Sequence, residues 1–120
     1  MKEDYTPGEV RVTAASGGEK CSKPERYDLV PTYAMDEVAR VYGAGAKKYD
    51  ARNWERGYDW GLSLAALQRH IKAFEKGESY DGETKCHHLA SAIFHCLALI
   101  TFEQFNLGTD DRSKLGRDGK

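Results

Sequence analysis

Between Lys85 and Phe105 lies a segment whose apolar residues, Leu89, Ala92, Ile93, Cys96, Leu97, Leu99 and Ile100, cover well over half of a helical circumference. A helix this apolar has to be enclosed, so it is expected at the centre of the fold. A chain of 120 residues holds only a modest core. One copy therefore leaves part of this helix uncovered, and a homo-oligomer, at least a dimer, is expected. Upstream, Leu64, Leu67, Ile71 and Phe74 recur at three-and-four spacing and predict a helix from Ser63, its N-cap, to about Lys76. Trp60 to Leu62 can extend it, and Gly77 stops it. A first helix begins at Thr32 to Ala34 and reaches Tyr42 or, past Gly43 and Gly45, Tyr49. Its buried face is Met35, Val38, Ala39 and Tyr42, with Asp36 and Glu37 in the first turn, where the helix dipole favours acids. The expected fold class is all-α, a small bundle of about three to four helices. Residues 1–25 read as a flexible or docking arm in which only Val10 to Ser16 is strand-like, residues 26–107 as the helical domain, and residues 108–120 as a disordered polar tail.

The segment from Arg69 to His95 carries all four histidines together with Glu75, Glu78, Asp81 and Glu83. His88, Ser91 and His95 share one helical stripe, and the loop acids precede it. Carboxylates suit Mg²⁺ or Mn²⁺, and imidazoles tilt the choice toward Mn²⁺ or another transition metal. The candidate ligands are Glu78, Asp81, Glu83, His88 and His95. Cys21, Cys86 and Cys96 form no Cys-x-x-Cys pair, which argues against structural zinc, and Cys96 reads as a core residue. The competing interpretation makes the histidines hydrogen-bonded core residues and the acids a solvated turn.

From Gly45 to Gly57 the chain reads GAKKYDARNWERG. Lys47, Lys48, Arg52 and Arg56 supply positive charge, Asn53 can hydrogen-bond a phosphate, sugar or base, and Tyr49 or Trp54 offers a stacking face. Arg69 can neutralise a phosphate or pair with Glu78 or Asp81. These groups together suit a nucleotide. A formal net charge of −1 argues against duplex nucleic acid. With no apolar run of transmembrane length and no signal-peptide core, no membrane partner and a cytoplasmic location are expected.

Three blocks in this order, KPERYDLVP, GAKKYDARNW and LQRHIKAFEKGESYDGETKCHHLA, resemble the small phage dATP/dGTP diphosphohydrolase-like proteins, related to MazG-type nucleotide pyrophosphohydrolases, over about Lys23 to Phe102. The resemblance implies an all-helical, metal-dependent, oligomeric enzyme. It would cleave a deoxynucleoside triphosphate, of purine type, between the α and β phosphates to give the monophosphate and pyrophosphate. It carries over, by position, Lys48, Tyr49, Asn53 and Trp54, then Arg69, His70, Glu78, Asp81, Glu83 and His88. One departure stands out: MazG-type enzymes bear Glu-x-x-Glu and then Glu-x-x-Asp, whereas here Glu75 and Glu78 fall at a helix end and His88 and Ser91 occupy the second place. The resulting expectation is a Mg²⁺- or Mn²⁺-dependent pyrophosphohydrolase, with His70 or Glu75 as general base and Lys48, Tyr49, Asn53, Trp54 and Arg69 binding substrate. The alternative is a non-catalytic protein that binds or sequesters nucleotide, and a purely structural helical module ranks third.

Overall fold

A computed structural model describes residues 8–116. Residues 1–7 of the expected arm and 117–120 of the expected tail lie outside the described residues. The chain divides into two units, Met1–Pro31 and Thr32–Lys120.

The first unit corrects the all-α expectation. Strand β1 (Val10–Thr13) pairs antiparallel with β2 (Glu19–Ser22), Val10 opposite Ser22 and Thr13 opposite Glu19, so the protein is mixed α/β. Valine and threonine favour the pleated backbone of β1. The sequence of β2, EKCS, has no apolar alternation, and only its pairing makes it a strand. The turn closes through Ala14 N–H donating to the Gly18 carbonyl at 2.7 Å, with Gly17 at φ 94°, a conformation glycine adopts without a Cβ clash. A short 3₁₀ turn, Tyr27–Leu29, follows.

The second unit contains α1 (Thr32–Lys48), α2 (Trp60–Glu75) and α3 (His88–Phe105). Helix α3 packs against both α1 and α2 and so lies between them. By length and composition alone it is apolar enough to cross a membrane, contrary to the sequence expectation; about a third of it, 33%, is buried, and it packs against its two neighbours. The core is Trp60, Ala98 and Phe102, with Trp54, Tyr58, Leu99 and Leu107 packed around it.

Several expected faces differ. Met35, Ile71 and Phe74 are exposed rather than buried, and Cys96 lies on an outward stripe of α3 with Ile93 and Ile100. Because α1 starts at Thr32, Asp36 and Glu37 fall beyond its first turn. Glu37 is instead buried, 3.2 Å from Arg40 and accepting a 3.4 Å hydrogen bond from the Tyr80 hydroxyl.

Ser63 is not the cap of α2. The helix begins at Trp60, and its first amides are satisfied by remote partners: Trp60 N–H donates to the Thr109 carbonyl at 3.0 Å and Gly61 N–H to Asp111 Oδ1 at 2.7 Å. Residues 108–112, at the start of the tail expected to be disordered, thus run back along the N-terminus of α2. Trp60 Nε1–H donates to the Leu107 carbonyl at 2.9 Å, and the Arg112 guanidinium sits 5.2 Å from the Trp60 ring centroid. The return requires glycine at Gly57 and Gly108, both at positive φ, because a Cβ on Gly57 would lie 2.4 Å from the Gly108 amide nitrogen.

Candidate functional site

Gly77, at φ 102°, ends α2, as its sequence position indicates. The loop that follows is closed by an antiparallel bridge between Tyr80 and His87 and by Asp81 N–H donating to the Cys86 carbonyl at 2.8 Å. Asp81 Oδ1 accepts the Glu83 amide at 2.8 Å, which orients its carboxylate. His87 caps α3, its Nδ1 accepting the Leu89 amide at 3.1 Å. These contacts hold His88, the first residue of α3, in a position only 5% exposed.

His88 Nε2–H donates to Glu78 Oε1 at 2.6 Å, since an ionised carboxylate can only accept. On its other side His88 Nδ1 lies 2.8 Å from His70 Nδ1. One ligand atom from each of His70, Asp81 and His88 falls within 4.8 Å of the others. Two imidazoles and a carboxylate fit a divalent transition ion better than Mg²⁺, which favours oxygen ligands. The expected ligands therefore part company. Asp81 and His88 meet, with His70 joining them. Glu78 stands behind His88 as its hydrogen-bond acceptor, and Glu83 and His95 lie outside the group. Glu75, at the exposed end of α2, is not among the residues that line the cleft.

Two turns along α3, His95 enters a network that sequence reasoning missed. The Tyr58 hydroxyl lies 2.6 Å from Ser63 Oγ, which lies 2.8 Å from His95 Nδ1. Ser63 has no exposed surface. Burial, then the charges of His70 and Arg69, pushes the His95 pKa down to about 4, so its ring is neutral at pH 7. His70 is also pushed down, chiefly by burial and then by His88. The rings of His70 and His95 stack with centroids 6.2 Å apart. The only sequence signal for this network was the stripe that joins His88, Ser91 and His95.

Both networks border one cleft of about 760 Å³. All five expected substrate-binding residues, Lys48, Tyr49, Asn53, Trp54 and Arg69, line it, as do His70, Asp81, Glu83 and His95. Glu78 and His88 are not part of that lining. Trp54 is committed to the wall, packed edge-on to Tyr42 and Phe94 and tilted on Phe102. Tyr49 is 59% exposed, with Lys48 Nζ 5.4 Å from its ring centroid, so it presents the open aromatic face. Among the described residues Arg69 makes no ion pair with Glu78 or Asp81, whereas Arg52 is engaged by Glu55 at 2.8 Å.

Residues 14–112 match the family described as "dATP/dGTP diphosphohydrolase, N-terminal". A dATP/dGTP diphosphohydrolase of Salmonella phage PMBT28 is 35% identical over 84 residues, which cover 70% of this chain and 29% of that relative. The chain thus spans under a third of the relative's length. No solved structure matches it.

Proposed function

This chain belongs to the dATP/dGTP diphosphohydrolase family, and from that membership we propose that its cleft binds a purine deoxynucleoside triphosphate and hydrolyses it to the monophosphate and pyrophosphate. The observation that carries the proposal is that one cleft is lined both by His70 and Asp81 of the imidazole and carboxylate group and by the basic and aromatic groups Lys48, Arg69, Tyr49 and Trp54. The reaction is that of the MazG-type enzymes, run with a different ligand set.

His70, Asp81 and His88 would hold a divalent ion, Mn²⁺ in preference to Mg²⁺. The chemistry such an ion would supply there is neutralisation of triphosphate charge and activation of water. Glu78 fixes the proton of His88 on Nε2, which keeps the Nδ1 lone pair turned toward His70. Lys48 and Arg69 hold phosphate oxygens, Asn53 bonds the sugar, and Tyr49 stacks on the base. Glu83 lines the cleft with a carboxylate that has no ion pair among the described residues, so it takes the role of proton acceptor first assigned to His70 or Glu75. The exposed Ile93, Cys96 and Ile100 stripe is the proposed seat of a homodimer in the cytoplasm; a monomer in light scattering at micromolar concentration would contradict it.

One observation favours a second reading, nucleotide capture without turnover: the ligand group holds a single carboxylate, short of the acidic set of MazG-type enzymes. Asp81→Asn separates the two. Under the hydrolytic reading the unsubstituted protein turns over dNTP and the variant does not, while nucleotide binding, followed by calorimetry, persists in both. Binding without turnover in the unsubstituted protein would establish capture.

A further inference from the structure

Ring contacts run without a break from the buried His88 through His70, His95, Phe94 and Tyr42, which line the cleft. His88 meets His70 at a centroid distance of 5.1 Å, His70 meets His95 at 6.2 Å, His95 meets Phe94 at 5.0 Å, and Phe94 meets Tyr42 at 4.9 Å. A nucleotide lying along this series, triphosphate at the histidine pair and base toward the aromatic wall, brings its sugar and α-phosphate to His95. Ser63 Oγ already occupies His95 Nδ1, which leaves Nε2 as the ring atom available to a ligand.

Donor and acceptor inventory sets the direction of the network. A phenol is a stronger donor than an aliphatic alcohol, and an imidazole lone pair is the strongest acceptor of the three groups. Running the bonds as Tyr58 O–H to Ser63 Oγ and Ser63 O–H to His95 Nδ1 therefore matches each donor to its best acceptor. The reverse direction turns the phenol into an acceptor and leaves its proton without a partner among the described residues.

We propose that His95 donates its Nε2–H to the sugar and α-phosphate segment of the bound nucleotide, and that Ser63 and Tyr58 are positioning residues that fix the Nε2–H tautomer. This rests on the nucleotide-binding reading above, and it adds a neutral, directional contact to the one that Asn53 makes. Lys48 and Arg69 carry charge and attract any phosphate, whereas a neutral donor with a fixed ring rewards one geometry.

The test is a long-range proton–nitrogen NMR spectrum of histidine-labelled full chain, recorded alone and with a non-hydrolysable α,β-methylene dATP. The expected result is a His95 proton on Nε2 in the free protein and a shifted Nε2 resonance in the complex. Tyr58→Phe and Ser63→Ala should both mix the tautomers, and the first spares the fully buried position. Calorimetry with the same analogue adds a rescue: His95→Gln, whose amide nitrogen falls near Nε2, keeps binding, while His95→Asn loses about tenfold, the scale of one hydrogen bond. A His95 proton on Nδ1 in the unsubstituted protein overturns the proposal without any variant. Analogue binding that leaves His95 unmoved overturns it alone. No binding by calorimetry overturns the proposal and the nucleotide reading together.

Discussion

Two histidines two turns apart on α3 belong to networks that border the same cleft, under opposite conditions. His88 is buried and hands its outer proton to Glu78, whose side chain is 60% exposed, so its network ends on a charge at the solvent boundary. His95 ends on Ser63 and Tyr58, hydroxyls held against the core that Trp60 and Phe102 build. The first arrangement keeps a lone pair turned toward a neighbouring imidazole and carboxylate, which suits holding a cation. The second keeps a ring neutral and oriented, which suits reading a ligand. The side chain is the same in each case, and its hydrogen-bond partner decides what it can do.

Substitutions can break this contrast from either side. The largest effect is expected from His88→Ala, which should lower dNTP turnover by about 10³-fold, the scale of a lost electrostatic anchor, in a steady-state assay. Its unfolding midpoint in denaturant should move less than that of Gly108→Ala, which strikes the other region. There a Cβ collides with the Tyr58 carbonyl and strains a backbone at φ 70°, so a loss of about 2–3 kcal/mol in urea unfolding is expected. Equal destabilisation by the two variants would mean that both histidines belong to one core.

Smaller effects sharpen the comparison. Glu78→Gln leaves the packing in place but weakens the hold on the His88 proton, so Mn²⁺ affinity measured by calorimetry should fall by about 10- to 100-fold. The smallest effect is a pH dependence. The folded state holds His95 at about 4 against 6.5 in the unfolded chain, so the unfolded chain binds the extra proton between these values. The stability contributed by the neutral ring is complete above the higher value and is lost as pH falls toward the lower one. After allowance for solvent screening the loss is on the order of 1–2 kcal/mol, and urea midpoints for His95→Gln should show a flatter acid limb than those of the unsubstituted protein.

The helices were legible because their signals are local. The three-and-four spacing of Leu64 and Leu67, the stop at Gly77 and the lysines closing α1 each act within one or two turns. What was not legible depends on partners distant in the chain. Ser63 resembles a cap in sequence, yet α2 takes its first hydrogen bonds from Thr109 and Asp111, and Ser63 turns inward to a histidine 32 residues away. Strand β2 lacks apolar alternation because its faces are largely open to solvent. The histidines and loop acids were identifiable as a cluster. Which of them meet, His70 with Asp81 and His88 but His95 with Ser63, is set by how the helices and the loop pack, and periodicity does not encode that.

The most direct test of the cleft as a dNTP site is product analysis after incubating the purified protein with each of the four dNTPs in Mn²⁺, in Mg²⁺ and in EDTA. Monophosphate and pyrophosphate are expected from dATP or dGTP, faster with Mn²⁺ and absent in EDTA. Intact dNTPs under every condition would contradict that assignment of the cleft.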